Sequence, residues 1–222
     1  MKRAFLLSIL VLSLSSSAQT IGQWRDSLEV LKKQITLNHV STDLRLKKAA
    51  VEIEMNDFDK ALADYDEVLK LDKKNPAALF YRAYTNTKLF RYSFARADYE
   101  DYLKIEPLNF EARLGLAVVN QEDKHFTDAT DQFNQLVEMF PDSAQAYAAR
   151  ANFERTRNLV DAAIFDLSEA VRLKPKDCDN YIKRADAYLA NKNRDAARDD
   201  LDMAVKLGYN RFALSGFYAK CK

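Results

Sequence analysis

Few of the side chains in this sequence are of the types that most often carry chemistry. There are two histidines, His39 and His125, and two cysteines, Cys178 and Cys221. Neither histidine has a second His, a Cys or paired carboxylates at metal-ligand spacing, so both read as solvated loop or turn residues. No GxGxxG, Walker-type GxxxxGK or GxSxG motif occurs, and 4 glycines in the whole chain leave little scope for a phosphate-cradling loop. Adjacent acids such as Glu100-Asp101 and Asp199-Asp200 fall in helical stretches, where sequence neighbours point to different sides. They read as solvated faces, not as a general acid with its base. No catalytic residue, metal ligand or cofactor is expected.

One charged pattern does recur. Arg82, Arg150 and Arg184 are followed sixteen residues later by Asp98, Asp166 and Asp200, and Lys48 is followed in the same way by Asp64. Leu116 and Gln132 break the pattern at both positions at once. Joint loss implies that the two positions meet in space. The pattern could mark a site for a charged ligand or a structural ion pair, and the joint loss favours the pair. If exposed, such a pair contributes only about 0–1 kcal/mol.

The elements that hold these residues are helical. Only 4 Gly and 4 Pro occur, too few for the turns of a β-rich protein. Lys plus Arg (34) nearly cancels Asp plus Glu (33), which argues against a nucleic-acid surface or a polybasic membrane patch. A period of 34 residues runs through the chain. One alanine series is Ala49, Ala83, Ala117, Ala151 and Ala185; a second is Ala61, Ala95, Ala129, Ala163 and Ala197. A larger apolar series is Tyr65, Tyr99, Phe133, Leu167 and Leu201, and a fourth is Leu71, Ile105, Met139, Leu173 and Leu207. Apolar spacings of three and four residues within each unit are helical. Pro107, Pro141 and Pro175 each follow a helix ending just before them. Short polar turns such as Met55-Asn56-Asp57 and Arg157-Asn158 separate two helices per unit. Paired alanines let the two backbones approach, and the larger residue fills the space against a neighbouring helix.

On these residues the chain resembles the tetratricopeptide repeat family. Repeat 2 supplies Ala83, Tyr92, Ala95, Tyr99 and Pro107; repeat 3 supplies Ala117, Phe126, Ala129, Phe133 and Pro141. Elsewhere Lys73 and Tyr209 replace the closing proline, and Val160 and Arg194 replace the turn aromatic. The resemblance implies an all-α, right-handed α-solenoid of tandem helix-turn-helix repeats. Five are expected over 42–210, at 42–75, 76–109, 110–143, 144–177 and 178–210. It also implies a non-enzymatic scaffold whose first helices line a concave groove that holds a peptide or helix of a protein partner.

By register the inward groove residues are Leu46, Ala50 and Ile53, then Phe80, Tyr84 and Lys88, then Leu114, Val118 and Gln121. Ala148, Asn152 and Arg155 follow, then Ile182, Asp186 and Leu189. Phe80 and Tyr84 are the anchor candidates, because aromatics dominate interface hot spots; alternatively both pack between neighbouring first helices. Some cochaperones of this family clamp a C-terminal carboxylate with Lys and Asn at such positions. Leu46, Ala50, Phe80 and Tyr84 stand there instead and only Asn152 matches, so that clamp is not expected.

The ends complete the expectation. Lys2 and Arg3, the apolar run Ala4 to Leu14, and Ser16-Ser17-Ala18 form an export signal at 1–18 with cleavage before Gln19. The run falls short of the ~20 residues of a membrane span, so a periplasmic or secreted chain without membrane insertion is expected. Residues 19–41 are expected to cap repeat 1 through Trp24, Leu28, Leu31 and Ile35. Residues 211–222 are expected to cap repeat 5 through Leu214, Phe217, Tyr218 and Cys221, in a helix weakened by Gly216. Helical rise separates Cys178 and Cys221 by roughly 15 Å, so no bond between them is expected. An alternative role is a structural subunit of a cell-envelope complex, bound through the second helices or the terminal helices.

Overall fold

The computed structural model describes residues 21–221; the expected export signal at 1–18 lies outside the described residues. Twelve α-helices and one 3-10 turn are present among them, with no strand. They divide after Asp123 into two compact units. The first holds α1 (Ile21–Leu37), α2 (Thr42–Glu54), α3 (Phe58–Leu71), α4 (Pro76–Lys88), α5 (Tyr92–Ile105) and α6 (Phe110–Glu122). The second holds α7 (Phe126–Met139), α8 (Ala144–Thr156), α9 (Val160–Leu173), α10 (Cys178–Ala190), α11 (Arg194–Lys206), the turn Arg211–Leu214 and α12 (Ser215–Lys220).

Each first helix starts at a capping side chain in the same register. Ser41, Asn75, Asn109 and Ser143 accept hydrogen bonds from the backbone N–H of Leu44, Ala78, Ala112 and Ala146, at 2.9–3.3 Å. Asp177 accepts from Asp179 N–H at 3.1 Å. These bonds satisfy amides that a helix N-terminus otherwise leaves without partners. The helices α5, α7 and α9 end at Ile105, Met139 and Leu173, two residues before a proline.

The turn between the paired helices also repeats. Asn56, Phe90, Lys124, Asn158 and Lys192 all adopt φ between 58° and 61°. In the first turn Asn56 N–H donates to Ile53 C=O at 2.9 Å, and Asp57 N–H to Glu52 C=O at 2.8 Å. These two bonds make a Schellman motif, which needs a left-handed residue and most often uses glycine. Here no glycine supplies it. Phe90 bears the largest steric cost, and its ring is 77% exposed.

Packing follows the alanine series. All ten alanines are fully buried, and Tyr65, Tyr99, Phe133, Leu167 and Leu201 lie buried beside them. In the first unit α2 pairs with α3 and α4 with α5, while α3 packs on α4 and α5 on α6. In the second α8 pairs with α9 and α10 with α11, while α7 packs on α8 and α9 on α10. The fourth apolar series lies at helix ends and is buried unevenly: Leu71 and Ile105 are exposed, whereas Leu173 and Leu207 pack partly against the second unit's core. Gly115 on α6 has a clear packing role. A Cβ there would stand 2.5 Å from Cζ of the buried Tyr99 ring.

The terminal helices differ in how much they bury. On α1, which packs against α2, Leu28 is buried and Trp24, Leu31 and Ile35 are half-buried. At the other end Leu214 and Cys221 are buried in one cluster with Leu201 and Ala204, and Phe217 and Tyr218 pack partly against it. Cys178 and Cys221 are both free thiols. The Arg198 guanidinium donates to Cys221 C=O at 2.8 Å, and Tyr218 Oη to Asp202 Oδ1 at 2.6 Å.

Candidate protein-binding surface

The recurrent Arg and Asp meet, and each guanidinium spans two hairpins. Arg82 donates through Nε and Nη2 to Asp98 at 2.9 and 2.6 Å, and through Nη1 to Asp66 at 2.6 Å. Arg150 does the same to Asp166 at 2.6 and 2.8 Å, with Asn134 at 3.2 Å. Arg184 binds Asp200 at 2.8 Å through both nitrogens, with Ser168 at 3.2 Å. Each arginine thus ties residues sixteen positions before and after it. Lys48 takes the arginine's place in repeat 1, bonded to Asp64 and to Glu52.

The Asp64, Asp98, Asp166 and Asp200 carboxylates are buried, so the exposed-pair value does not apply to them. Burial pushes the Asp98 carboxyl up, and its bonds from Arg82 only partly offset this. The same bonds raise Arg82. With their hydrogen-bonding capacity spent on each other, these side chains serve the fold and present no open charge to a ligand.

Buried carboxyls accompany the clamps at one first-helix position. Glu52 is fully buried, with Oε2 lacking a hydrogen-bond partner, and burial raises its carboxyl. Glu154, three periods later, also has a buried, unpartnered Oε2. Desolvation, with Asp166 adding to it, pushes its carboxyl up to about 7. Asn86 and Asn120 hold the two intervening positions and are buried as well. Sequence reading missed this series because one Glu among many charged residues carries no sign of its depth.

The expected groove residues separate into packed and open ones. Phe80 lies against the rings of Tyr81, Tyr99 and Tyr102, with centroids 5.3–5.9 Å apart, and belongs with the first unit's core. Leu46 and Ile53 pack partly against the same core. Leu114 and Val118 on α6 are half-buried. Tyr84 is open, at 37% exposure, and Lys88 holds its ammonium 5.2 Å from the Tyr84 ring centroid. A cavity of about 460 Å³ opens here, lined by Ile53, Glu54, Asn56, Phe58, Tyr84 and Lys88. It gathers three expected residues with three unexpected ones: Glu54 at the end of α2, Asn56 in the turn and Phe58 at the start of α3.

The second unit presents a more polar surface. Asn152 is exposed on α8. Arg155 and Asp186, expected as separate groove residues, bond to each other at 2.6 Å between α8 and α10. Among the described residues no group of three or more His, Cys, Asp and Glu could hold a metal ion, and no helix is long and apolar enough to cross a membrane.

Hairpins with buried alanine seams, repeated at one register, define an α-helical repeat fold. The tetratricopeptide repeat family model matches residues 46–93 and 121–177 of this chain. A tetratricopeptide repeat protein from Parabacteroides merdae superposes with a TM-score of 0.68 at 21% identity, covering 90% of this chain and 78% of that one. YrrB, described as a TPR protein with an unusual peptide-binding site, gives 0.59 at 20% identity over 83% of this chain and 95% of its own. TTC0263 from Thermus thermophilus gives 0.61 at 18% identity over 82% and 98%. No curated protein matches the chain. Tetratricopeptide repeats mediate protein–protein interactions.

Proposed function

We propose that this protein is an exported, non-catalytic binding module that holds an extended peptide or helix of a partner protein on its first helices. The observation that carries the reading is the open cavity beside Tyr84 on the first helices α2 and α4. An aromatic ring left partly exposed there, beside a side-chain-sized space, is the form that interface anchors take. Support for a peptide comes from the similarity to YrrB, whose description includes a peptide-binding site. The residues Lys2 to Ala18 support export.

Photo-crosslinking in native cells tests the binding surface. A crosslinker at Tyr84 is expected to trap one defined partner, and one at Asp101, exposed on the second helix α5, is not. Equal adducts at both positions would remove the first-helix surface as the site. Sequencing the N-terminus of the purified chain is expected to start near Gln19; an intact Met1 would end the export reading.

A second reading draws on the second helices. Phe94 on α5 and Phe165 on α9 are each 65% exposed, and such rings suit docking within a larger assembly. Phe94→Ser with Phe165→Ser would then release the protein from its complex and leave peptide binding intact.

A further inference from the structure

We propose that the cavity beside Tyr84 is a seat for a basic side chain, so that the peptide bound on the first unit is recognised by an arginine or lysine. The inference rests on the first-helix reading above and names its ligand chemistry. Three features of the cavity point the same way.

The first is Glu54. It is the last residue of α2, at the negative end of the helix dipole, and it is exposed. A carboxylate is disfavoured there, and no ion pair to Glu54 offsets this among the described residues. Nearby acids are treated differently: Glu52 and Asp64 share Lys48, Asp43 holds Lys47, and Asp59 holds Arg91. A cation entering the cavity would meet the carboxylate that the fold has left open.

The second feature is aromatic. Tyr84 and Phe58 both line the cavity, and Asn56 adds an amide from the left-handed turn. Ring faces beside a carboxylate make a site for ammonium or guanidinium groups, which the negative face of a π system attracts. The third feature is Lys88. Its own ammonium already stands over the Tyr84 ring. The structure therefore contains the interaction it is inferred to make, with an internal cation in the ligand's place. An incoming arginine takes over that ring face, and the flexible Lys88 side chain swings into solvent. An arginine fits better than lysine because its planar guanidinium can stack on one ring while donating to Glu54.

Competition from Lys88 gives the proposal a distinctive signature. Removing an exposed lysine from a binding surface ordinarily weakens binding; here Lys88→Gln strengthens it, because the ring is vacated. Glu54→Gln removes the preference for a basic residue without touching a buried group.

The test uses the full chain and three fluorescent nonapeptide pools, read by anisotropy. The pools share randomised apolar flanks and differ only in a central Arg, citrulline or Glu. The Arg pool is expected to bind about fivefold tighter than the citrulline pool. In Glu54→Gln the two pools should become equal, and in Lys88→Gln the Arg pool should gain about twofold or more. Equal binding of Arg and citrulline pools by the unaltered protein, or tightest binding of the Glu pool, overturns the basic-residue seat. If Tyr84→Ala still weakens every pool in that case, the first-helix surface stands and only its chemistry was misread. If no pool binds, both readings fall together.

Discussion

Replacing Arg82 by alanine isolates the clamp that repeats through the fold. Asp98 has a side chain only 6% exposed and receives two hydrogen bonds from Arg82. Removing one member of a buried pair strands the other's charge and costs about 3–5 kcal/mol. Two facts reduce this. Arg82 itself is 26% exposed, so solvent screens the pair. Burial has also pushed the Asp98 carboxyl up, so protonation relieves part of the stranded charge. The expected loss is therefore about 2–3 kcal/mol. Asp98→Asn should cost less, about 1 kcal/mol, because Arg82 keeps Asp66 and its contact with water. Arg82→Met with Asp98→Leu should fall within about 1 kcal/mol of the parent, since an apolar pair avoids both desolvation terms. Urea unfolding followed by helical circular dichroism measures all three, provided the slopes agree. A loss below about 0.5 kcal/mol for Arg82→Ala, or additive single losses in the double variant, would refute the clamp as a coupled buried pair.

Two further substitutions probe packing and charge. Gly115→Ala should lower the melting temperature although alanine is the better helix former by about 1 kcal/mol. The added Cβ meets the buried Tyr99 ring at 2.5 Å, and the resulting overpacking costs about 1–3 kcal/mol; a rise in melting temperature would refute that contact. Glu154 has a folded carboxyl raised to about 7 from an ordinary 4.5. A raised acid stabilises the fold below its unfolded value and loses that contribution as pH climbs through 7. Glu154→Gln should therefore reduce the fall in melting temperature between pH 5 and pH 8; an unchanged profile would show that Glu154 is already solvated.

The 34-residue register carried most of the architecture. Alanine at Ala49 or Ala61 can be read as a helix contact because no larger side chain recurs there, and both series are buried throughout the described repeats. The Arg–Asp pairing was legible from its joint absence at Leu116 and Gln132. Phe80 was harder: its ring is held by Tyr81, Tyr99 and Tyr102, two of them on α5, and spacing along α4 says nothing of that. Arg155 and Asp186 were read as separate because their bond joins helices about thirty residues apart in sequence. The cavity itself was only half visible. Tyr84 and Lys88 follow from register, whereas Glu54, Asn56 and Phe58 arrive through the bend of a turn.

That turn has a consequence for how freely the protein can change. Asn56, Phe90, Lys124, Asn158 and Lys192 occupy one backbone geometry with three different chemistries. Hydrogen bonding by the flanking main chain sets the bend, and the side chain at its apex is left to drift. Such apices make natural attachment points. A dye, a crosslinker or a tether could be installed at Asn158 or Lys192, both solvent-facing, without disturbing the helices on either side. Evolution has the same latitude. A lineage could sample new contacts at these apices one residue at a time while the alanine seams hold the frame.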